Sequence, residues 1–391
     1  MSSLLNKRLA RSLWRTKLRL FAVIFMVSVG VFAGLTFGGY SHNLDGMYET
    51  IHRDDATGAN LADLWIDNRS TTWSAEEVTE FCDELASTWN HDEFGMDSCE
   101  GRNIVPGAMF YNNNDERIIN SLWHGISPDA NSNRIWMPDG HSDGRLAVTA
   151  DEIVIDAHVI EPLDLGIGDI ITIGAGAASA EFTIVGYGYH PVHIFMAPEG
   201  SLFPPEAGEY VVGYLSELGM ARLTGNQVGE SNTILLDIDG TPSFDLPDTT
   251  EFEGGEIELV KSMVDESLSA SQLDARVRDR GQIEQVEIMR QDLEGAKRMA
   301  TPFTIMIAAI ASIKIILSLQ RLVQSQAKEI AALRTLGVKR KSLLTGYLLA
   351  PIIIGSVGCL IGCLIGPTGM NAMLDFYQDI VGMPIVNREI P

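Results

Sequence analysis

Three long apolar runs divide this chain, and between the first two lies a stretch in which polar and apolar positions change over every few residues. Leu20–Gly38 carries no charge, Ala300–Leu319 is apolar apart from Lys314 and small hydroxyls, and Leu343–Gly366 runs 24 residues without a charge. A helix needs about 20 residues to cross the hydrocarbon core of a bilayer, so the pattern predicts transmembrane helices at 20–40, 300–319 and 343–366. Ile283, Val286, Met289, Leu293, Ala296 and Met299 recur at helical spacing and lead into the second run, with Pro302 near the join. They predict a stalk helix over 282–299. In 41–281 the signal is mixed. Leu61–Asp67, Glu152–Asp156, Asp169–Ile173, Glu181–Gly186, Glu209–Tyr214 and Thr233–Asp239 read as short strands. Ala75–Leu85 reads as a helix with Ser74 as its N-cap and Glu76 and Glu77 in its first turn. Glu258–Val277 reads as broadly helical, and Asn90–Asp143, rich in Asn, Asp and Gly, as loops with an edge element. The expected fold class is an α+β membrane protein: three transmembrane helices, with a large α+β core domain between the first and second, linked by a helical stalk.

Charge orients this layout. Met1–Leu20 holds six basic residues and no acid, and Gln320–Ser342 holds six basic residues and only Glu329. Short segments this rich in Lys and Arg stay in the cytoplasm. Residues 1–19 are therefore expected as a basic cytoplasmic entry helix and 320–342 as a cytoplasmic hairpin. The core domain at 41–281 and the C-terminal segment at 367–391 are then extracytoplasmic. A cleaved signal peptide is the competing reading of the N-terminus, but the apolar run is long and no small-x-small cleavage site is clear. The chain has 28 Lys and Arg against 52 Asp and Glu. Twelve of the basic residues lie in the two cytoplasmic pieces, so the large domain is strongly acidic. That excludes nucleic acid as its partner; solubility, or a cationic partner, accounts for the acidity.

Gly30, Gly34 and Gly38 recur every four residues in the first span, and Gly358, Gly362 and Gly366 do so in the third. That spacing sets glycines on one helix face, where another backbone can approach closely. Lys314, five residues from the cytoplasmic end of the second span, reads as a snorkelling side chain. In the hairpin, Leu322, Val323, Ile330, Leu333 and Leu336 mark an apolar helical stripe that Gly337 ends; a helix lying on the lipid surface fits the same pattern. Cys82 and Cys99, 17 residues apart, fit either a disulfide or two reduced buried thiols, and Cys359 and Cys363 read as small packing residues in the membrane. No catalytic constellation or cofactor site stands out. His190 and His193 flank a proline turn but are too few to hold a metal, and Asp237 and Asp239 lack the other ligands of a calcium loop.

Several segments resemble one known family. Gln324-Ser-Gln-Ala-Lys-Glu-Ile-Ala-Ala-Leu-Arg-Thr-Leu-Gly337, followed by Lys339, Arg340 and Lys341, resembles the REIGVLRALG segment of FtsX-, MacB- and LolC-type ABC transporter permeases. Asn6-Lys-Arg-Leu-Ala-Arg-Ser-Leu-Trp-Arg15 resembles their basic entry helix. Leu163-Asp-Leu-Gly-Ile-Gly-Asp169 and Phe182-Thr-Ile-Val-Gly186 resemble a run of their outer core domain, and Asp292-Leu-Glu-Gly-Ala-Lys-Arg-Met-Ala300 their stalk junction. The resemblance implies a multi-pass subunit of the cell membrane that binds no ATP itself and works with a separate ABC ATPase. That partner would dock on Lys328, Glu329, Ile330, Leu333, Arg334 and Leu336. It implies movement of the outer domain to export, extract or activate a hydrophobic or lipid-linked substrate. Further expected partners are membrane lipid and a second permease copy or the remaining half of the permease, since the family has a fourth span after the third. The alternative is a membrane-anchored extracellular ligand-binding or sensor protein, which would require a cytoplasmic signalling domain or a defined outer ligand site.

Overall fold

The structure is a computed structural model. It describes residues 17–53, 57–89, 95–111, 117–201, 203–239, 256–271, 273–325 and 340–390, with three isolated positions between 326 and 339. Its elements follow in chain order. Helix α1 spans Lys17–His52, strand β1 Leu64–Asn68, helix α2 Ala75–Thr88, β2 Gly95–Tyr111, β3 Arg117–Gly125, β4 Asp143–Gly144, β5 Glu152–Asp156, β6 Ile170–Ala175, β7 Ala178–Gly188 and β8 Tyr210–Leu215. Then come α3 Glu217–Thr224, β9 Thr233–Asp239, α4 Glu256–Ala270, β10 Ala275–Asp279, α5 Glu284–Ser325 and α6 Arg340–Val381. Two units result. One is helical, from Met1–Asp45, Leu293–Tyr377 and Asn387–Pro391; the other is strand-rich, from Gly46–Asp292 and Gln378–Val386.

Among the described residues, three helices are long and apolar enough to cross a membrane. Each outruns its sequence-based limits. Helix α1 continues past residue 40 to His52, α5 joins the expected stalk and second span in one helix, and α6 runs on to Val381 rather than ending near Gly366. Pro302 sits inside α5 without ending it. Proline removes one backbone donor from the ladder and not the whole ladder, so Gly366-Pro367 likewise fails to stop α6. That helix ends at Gly382, whose φ of 78° suits the left-handed end of a helix and whose N–H donates to the Gln378 carbonyl at 2.7 Å.

The strand-rich unit holds a ten-stranded sheet in the order β10-β1-β9-β2-β3-β8-β5-β7-β4, with β6 pairing both β2 and β7. The pairings β2–β3–β8–β5–β7–β6–β2 therefore close a six-stranded ring, of which β3–β8 and β5–β7 are parallel. A closed ring leaves no free edge and must be filled by side chains. Here the filling is Met109, Trp123, Ile153, Ile155, Ile173, Phe182, Ile184 and Val211, all buried. Glycines make room for the largest of them: a Cβ on Gly213 would lie 2.7 Å from the Trp123 ring, and the Trp123 indole N–H donates to the Gly174 carbonyl at 3.0 Å. The turn at Leu163–Asp169 feeds β6, with the Asp169 carboxylate accepting from the Gly166 N–H at 2.7 Å.

The other end of the sheet, β10-β1-β9 and the first half of β2, packs Leu64, Ile66, Ile234, Leu236 and Ile238 against Val78, Phe81 and Leu85 of α2 and Val260, Val264 and Leu268 of α4. Helix α2 starts as its sequence predicts. Ser74 Oγ accepts from the Glu77 N–H at 3.2 Å and the Glu77 carboxylate accepts from the Ser74 N–H at 2.7 Å. Cys82 and Cys99 form a disulfide between α2 and β2. A buried polar network closes this region. Arg280 pairs with Asp63 at 3.0 Å and donates to the Ala62 carbonyl at 3.0 Å, while the Asn60 amide donates to Asp237 at 2.7 Å.

Two sequence expectations change here. Glu258–Val277 is not one helix: α4 ends at Ala270 and β10 follows, pairing with β1 from Ala275. The β-branched Val277 opposite Ile66 fits a strand better than a helix. Asn90–Asp143 is not an edge but holds β2 and β3, two central strands joined in register from Asn103–Gly125 to Tyr111–Arg117. Their Asn, Gly and Pro residues disguise them because sheet pairing overrides propensity.

Candidate functional site

The glycine triplet of the third span is buried against α1. A Cβ on Gly358 would lie 2.7 Å from the Val27 Cβ and 2.9 Å from the Ile24 carbonyl oxygen. On Gly362 it would meet Val31 and the Ser28 carbonyl at 2.6 and 2.8 Å, and on Gly366 it would meet Leu35 at 2.8 Å. Real side chains do not reach such distances, so only glycine permits this approach. Thr36 Oγ1 donates to the Gly366 carbonyl at 3.5 Å, and Asn43 both donates to the Glu389 carbonyl and accepts from its N–H, at 2.8 and 2.7 Å. The first-span triplet behaves differently. Gly30 and Gly34 face Ile307 and Thr304 of α5 at ordinary contact distances of 3.7 and 3.4 Å, and Gly38 has nothing within 4 Å. Gly38 is therefore not used for close approach. At its level bulkier groups make the contact: Phe37 stacks on Phe303 with ring centroids 5.6 Å apart, and Lys297 pairs with Asp45 at 2.6 Å.

Lys328, Glu329, Ile330, Leu333, Arg334 and Leu336 lie outside the described residues. What flanks them is described: α5 extends to Ser325 and α6 begins at Arg340.

The strand-rich unit contains a cavity of about 630 Å³, lined by Trp65, Arg102, Leu122, Tyr210, Ile283 and a group of histidines, among other residues. His190 and His193, which flank the Pro191-Val192 turn, meet His124 from β3. The three rings form a near-equilateral triangle, with centroids 4.8 Å apart for His124–His193, 5.0 Å for His124–His190 and 5.1 Å for His190–His193. His124 Nε2 and His193 Nε2 stand 2.9 Å apart, so one donates to the other. His193 Nδ1 is buried with no partner. His190 stacks on Tyr214 at 5.5 Å, and the Tyr214 hydroxyl donates to Asp156 at 2.6 Å. The second Asp156 oxygen is 2.5 Å from His158 Nδ1.

Burial sets the charge of this cluster. It is the main cause that holds His124 and His190 well below the usual imidazole range, with neighbouring histidines and Arg102 adding to it. It pulls His193 down to about 4 against the opposing Asp156 charge. The rings are neutral at physiological pH and free to donate or accept. Burial and Asp156 together push the Tyr214 hydroxyl well up, so it stays a donor. His124 was missed in the sequence because 69 residues separate it from His193; no local motif joins them.

Residues 302–386 match the family model described as FtsX-like permease C-terminal. No curated protein sequence matches the chain. Among solved structures, the periplasmic region of MacB from Actinobacillus actinomycetemcomitans is similar to 60% of this chain and 92% of its own, at 12% identity and a TM-score of 0.34.

Proposed function

We propose that this chain, an FtsX/MacB-like ABC permease by its matched C-terminal region, couples ATP hydrolysis in a separate ATPase to movement of its strand-rich domain. The observation that carries this reading is α5. A single helix of 42 residues holds the stalk sequence and the second apolar span, and the family match begins within it. A helix that long, at 1.5 Å rise per residue, can carry a displacement from its cytoplasmic end to its other end. The spans hold only one charged residue in their sequence, Lys314, which favours mechanical work over passage of a polar substrate through a channel. On this reading the strand-rich domain is extracytoplasmic. The hairpin at 320–342 receives the ATPase through Lys328, Glu329, Ile330, Leu333, Arg334 and Leu336, and a second permease copy or half completes the membrane bundle. The substrate would be a hydrophobic or lipid-linked molecule outside the cytoplasm.

Charge reversal tests the docking. Arg334→Glu or Glu329→Lys is expected to lower co-purification of the ATPase while the chain still inserts into the membrane. Unchanged co-purification in both variants would remove this hairpin from the contact. The orientation is tested separately by Ser179→Cys, at the exposed start of β7, in a background lacking Cys359 and Cys363. Labelling by a membrane-impermeant reagent in intact cells is expected, and protection of that site would reverse the topology.

A further inference from the structure

We propose that His124, His190 and His193 form a binding site for a divalent transition-metal ion of the class imidazole favours: zinc, copper, nickel or cobalt. The proposal goes beyond the permease reading and does not depend on it.

The geometry of the rings points to this class. Imidazoles that share one tetrahedral ion at about 2.0–2.1 Å have ring centroids roughly 5.2 Å apart, and the three here are separated by 4.8, 5.0 and 5.1 Å. The two Nε2 atoms of His124 and His193, 2.9 Å apart, already face one point. An ion in place of the shared proton would need them to open by only a few tenths of an ångström, with each ring carrying its hydrogen on Nδ1. As the side chains stand, no three donors converge among the described residues. His190 supplies the third ligand by turning its ring, which gives up a long hydrogen bond from the Val192 N–H to its Nδ1, at 3.3 Å, and its stacking on Tyr214. The cavity supplies both the entry path and room for a water as the fourth ligand.

The chemistry of the surroundings agrees. Both arginines on the described lining of the cavity are paired, Arg102 with Glu100 at 2.7 Å and Arg278 with Asp67. Asp156, buried beneath Tyr214, supplies negative charge next to the cluster. A packing role alone does not account for a histidine pair whose only side-chain hydrogen bond is to each other and whose outer nitrogen, His193 Nδ1, is buried and unpartnered. Imidazole-rich sites take zinc, copper or nickel ahead of magnesium or calcium, which sets the class of ion.

The test uses the untagged full chain in detergent. Equilibrium dialysis against zinc is expected to give one ion per chain, and cobalt(II) to give the visible absorption of a tetrahedral complex. Pulsed EPR of the copper(II) form is expected to report at least two bound imidazoles. His124→Gln and His193→Gln keep a hydrogen-bonding side chain and are each expected to weaken affinity by about tenfold or more, His190→Gln by less, and His141→Gln not at all. No bound ion at high micromolar free metal, a copper spectrum without imidazole nitrogens, or unchanged affinity in the folded double variant would each overturn the site. Should the variants lose their near-ultraviolet circular dichroism, the stoichiometry and imidazole count of the unaltered chain decide the matter.

Discussion

Glycine serves opposite ends in the two units. In the helical unit Gly358, Gly362 and Gly366 admit the neighbouring helix itself, so that Val27, Val31 and Leu35 of α1 sit against the α6 backbone. In the strand-rich unit Gly213 and Gly107 admit a side chain, the indole of Trp123. The difference follows from the solvent. In lipid, burying an apolar side chain gains little, because the tails are as apolar as leucine, and helices associate through close fit and hydrogen bonds. In water, burial of apolar area drives folding, and glycine is spent on accommodating the largest apolar groups. Loss of fit should therefore be decisive in one unit and loss of area in the other.

The largest expected effect breaks the fit. Replacing Gly358 and Gly362 together by leucine forces α6 away from α1, and permease assembly and ATPase stimulation should be abolished while membrane insertion survives. The same replacement at Ile353 and Val357, which are 53% and 40% exposed, should leave both readouts near those of the unaltered chain. Equal loss at the two pairs would show that glycine is not special on this face. Next in size is loss of area. Trp123→Ala is expected to destabilise the strand-rich unit by about 3–5 kcal/mol, read as a lower denaturant midpoint in tryptophan-independent circular dichroism.

A smaller change separates the units. Reduction of the Cys82–Cys99 link, or Cys82→Ser, should cost about 2–4 kcal/mol in the strand-rich unit alone. Calorimetry should then move one transition and leave any transition of the helical unit in place; a shift of both would deny the separation. The smallest expected effect is a pH dependence. Burial, then the neighbouring Asp63 charge, raises the Asp237 carboxyl to about 7. The folded state therefore holds a proton that the unfolded state has lost between about pH 4 and pH 7. Stability associated with that proton is full below about pH 4, falls as pH rises to 7, and is constant above it. Asp237→Asn, which can still accept from Asn60, should stabilise the strand-rich unit at pH 8 by on the order of 1 kcal/mol, read as a higher melting temperature, and have no effect below pH 4. A variant equally stabilised at both pH values would assign the gain to something other than ionisation.

Where a segment's structure rests on its own residues, it could be read from them. Ser74 and Glu77 announce the start of α2, β5 and β9 have their sequence-based limits, and the third-span glycines are marked by spacing alone. Where it rests on a distant partner, it could not. The polar run of β2 becomes a central strand only because β9, β3 and β6 satisfy its backbone, and Val277 becomes part of a strand only opposite Ile66. The full length of the helices was hidden for a different reason: apolar length marks a span and not a helix end, and a proline removes one backbone donor and leaves the rest of the ladder, so α5 runs through Pro302 and α6 through Gly366-Pro367. The histidine cluster joins β3 to a turn after β7, and sequence distance hides it entirely.

Strand β2 changes neighbours partway along. Residues 95–102 pair with β9, and residues 103–111 with β3. The sheet under α2 and α4 and the closed ring around Trp123 thus share one continuous backbone, and neither can peel open without breaking ladder bonds that the other also needs. Such a shared seam should make the two halves a single cooperative unit. Its amides on both sides of Arg102 and Asn103 should exchange with deuterium at one common, slow rate, as threads in a hem come loose only when the whole hem does.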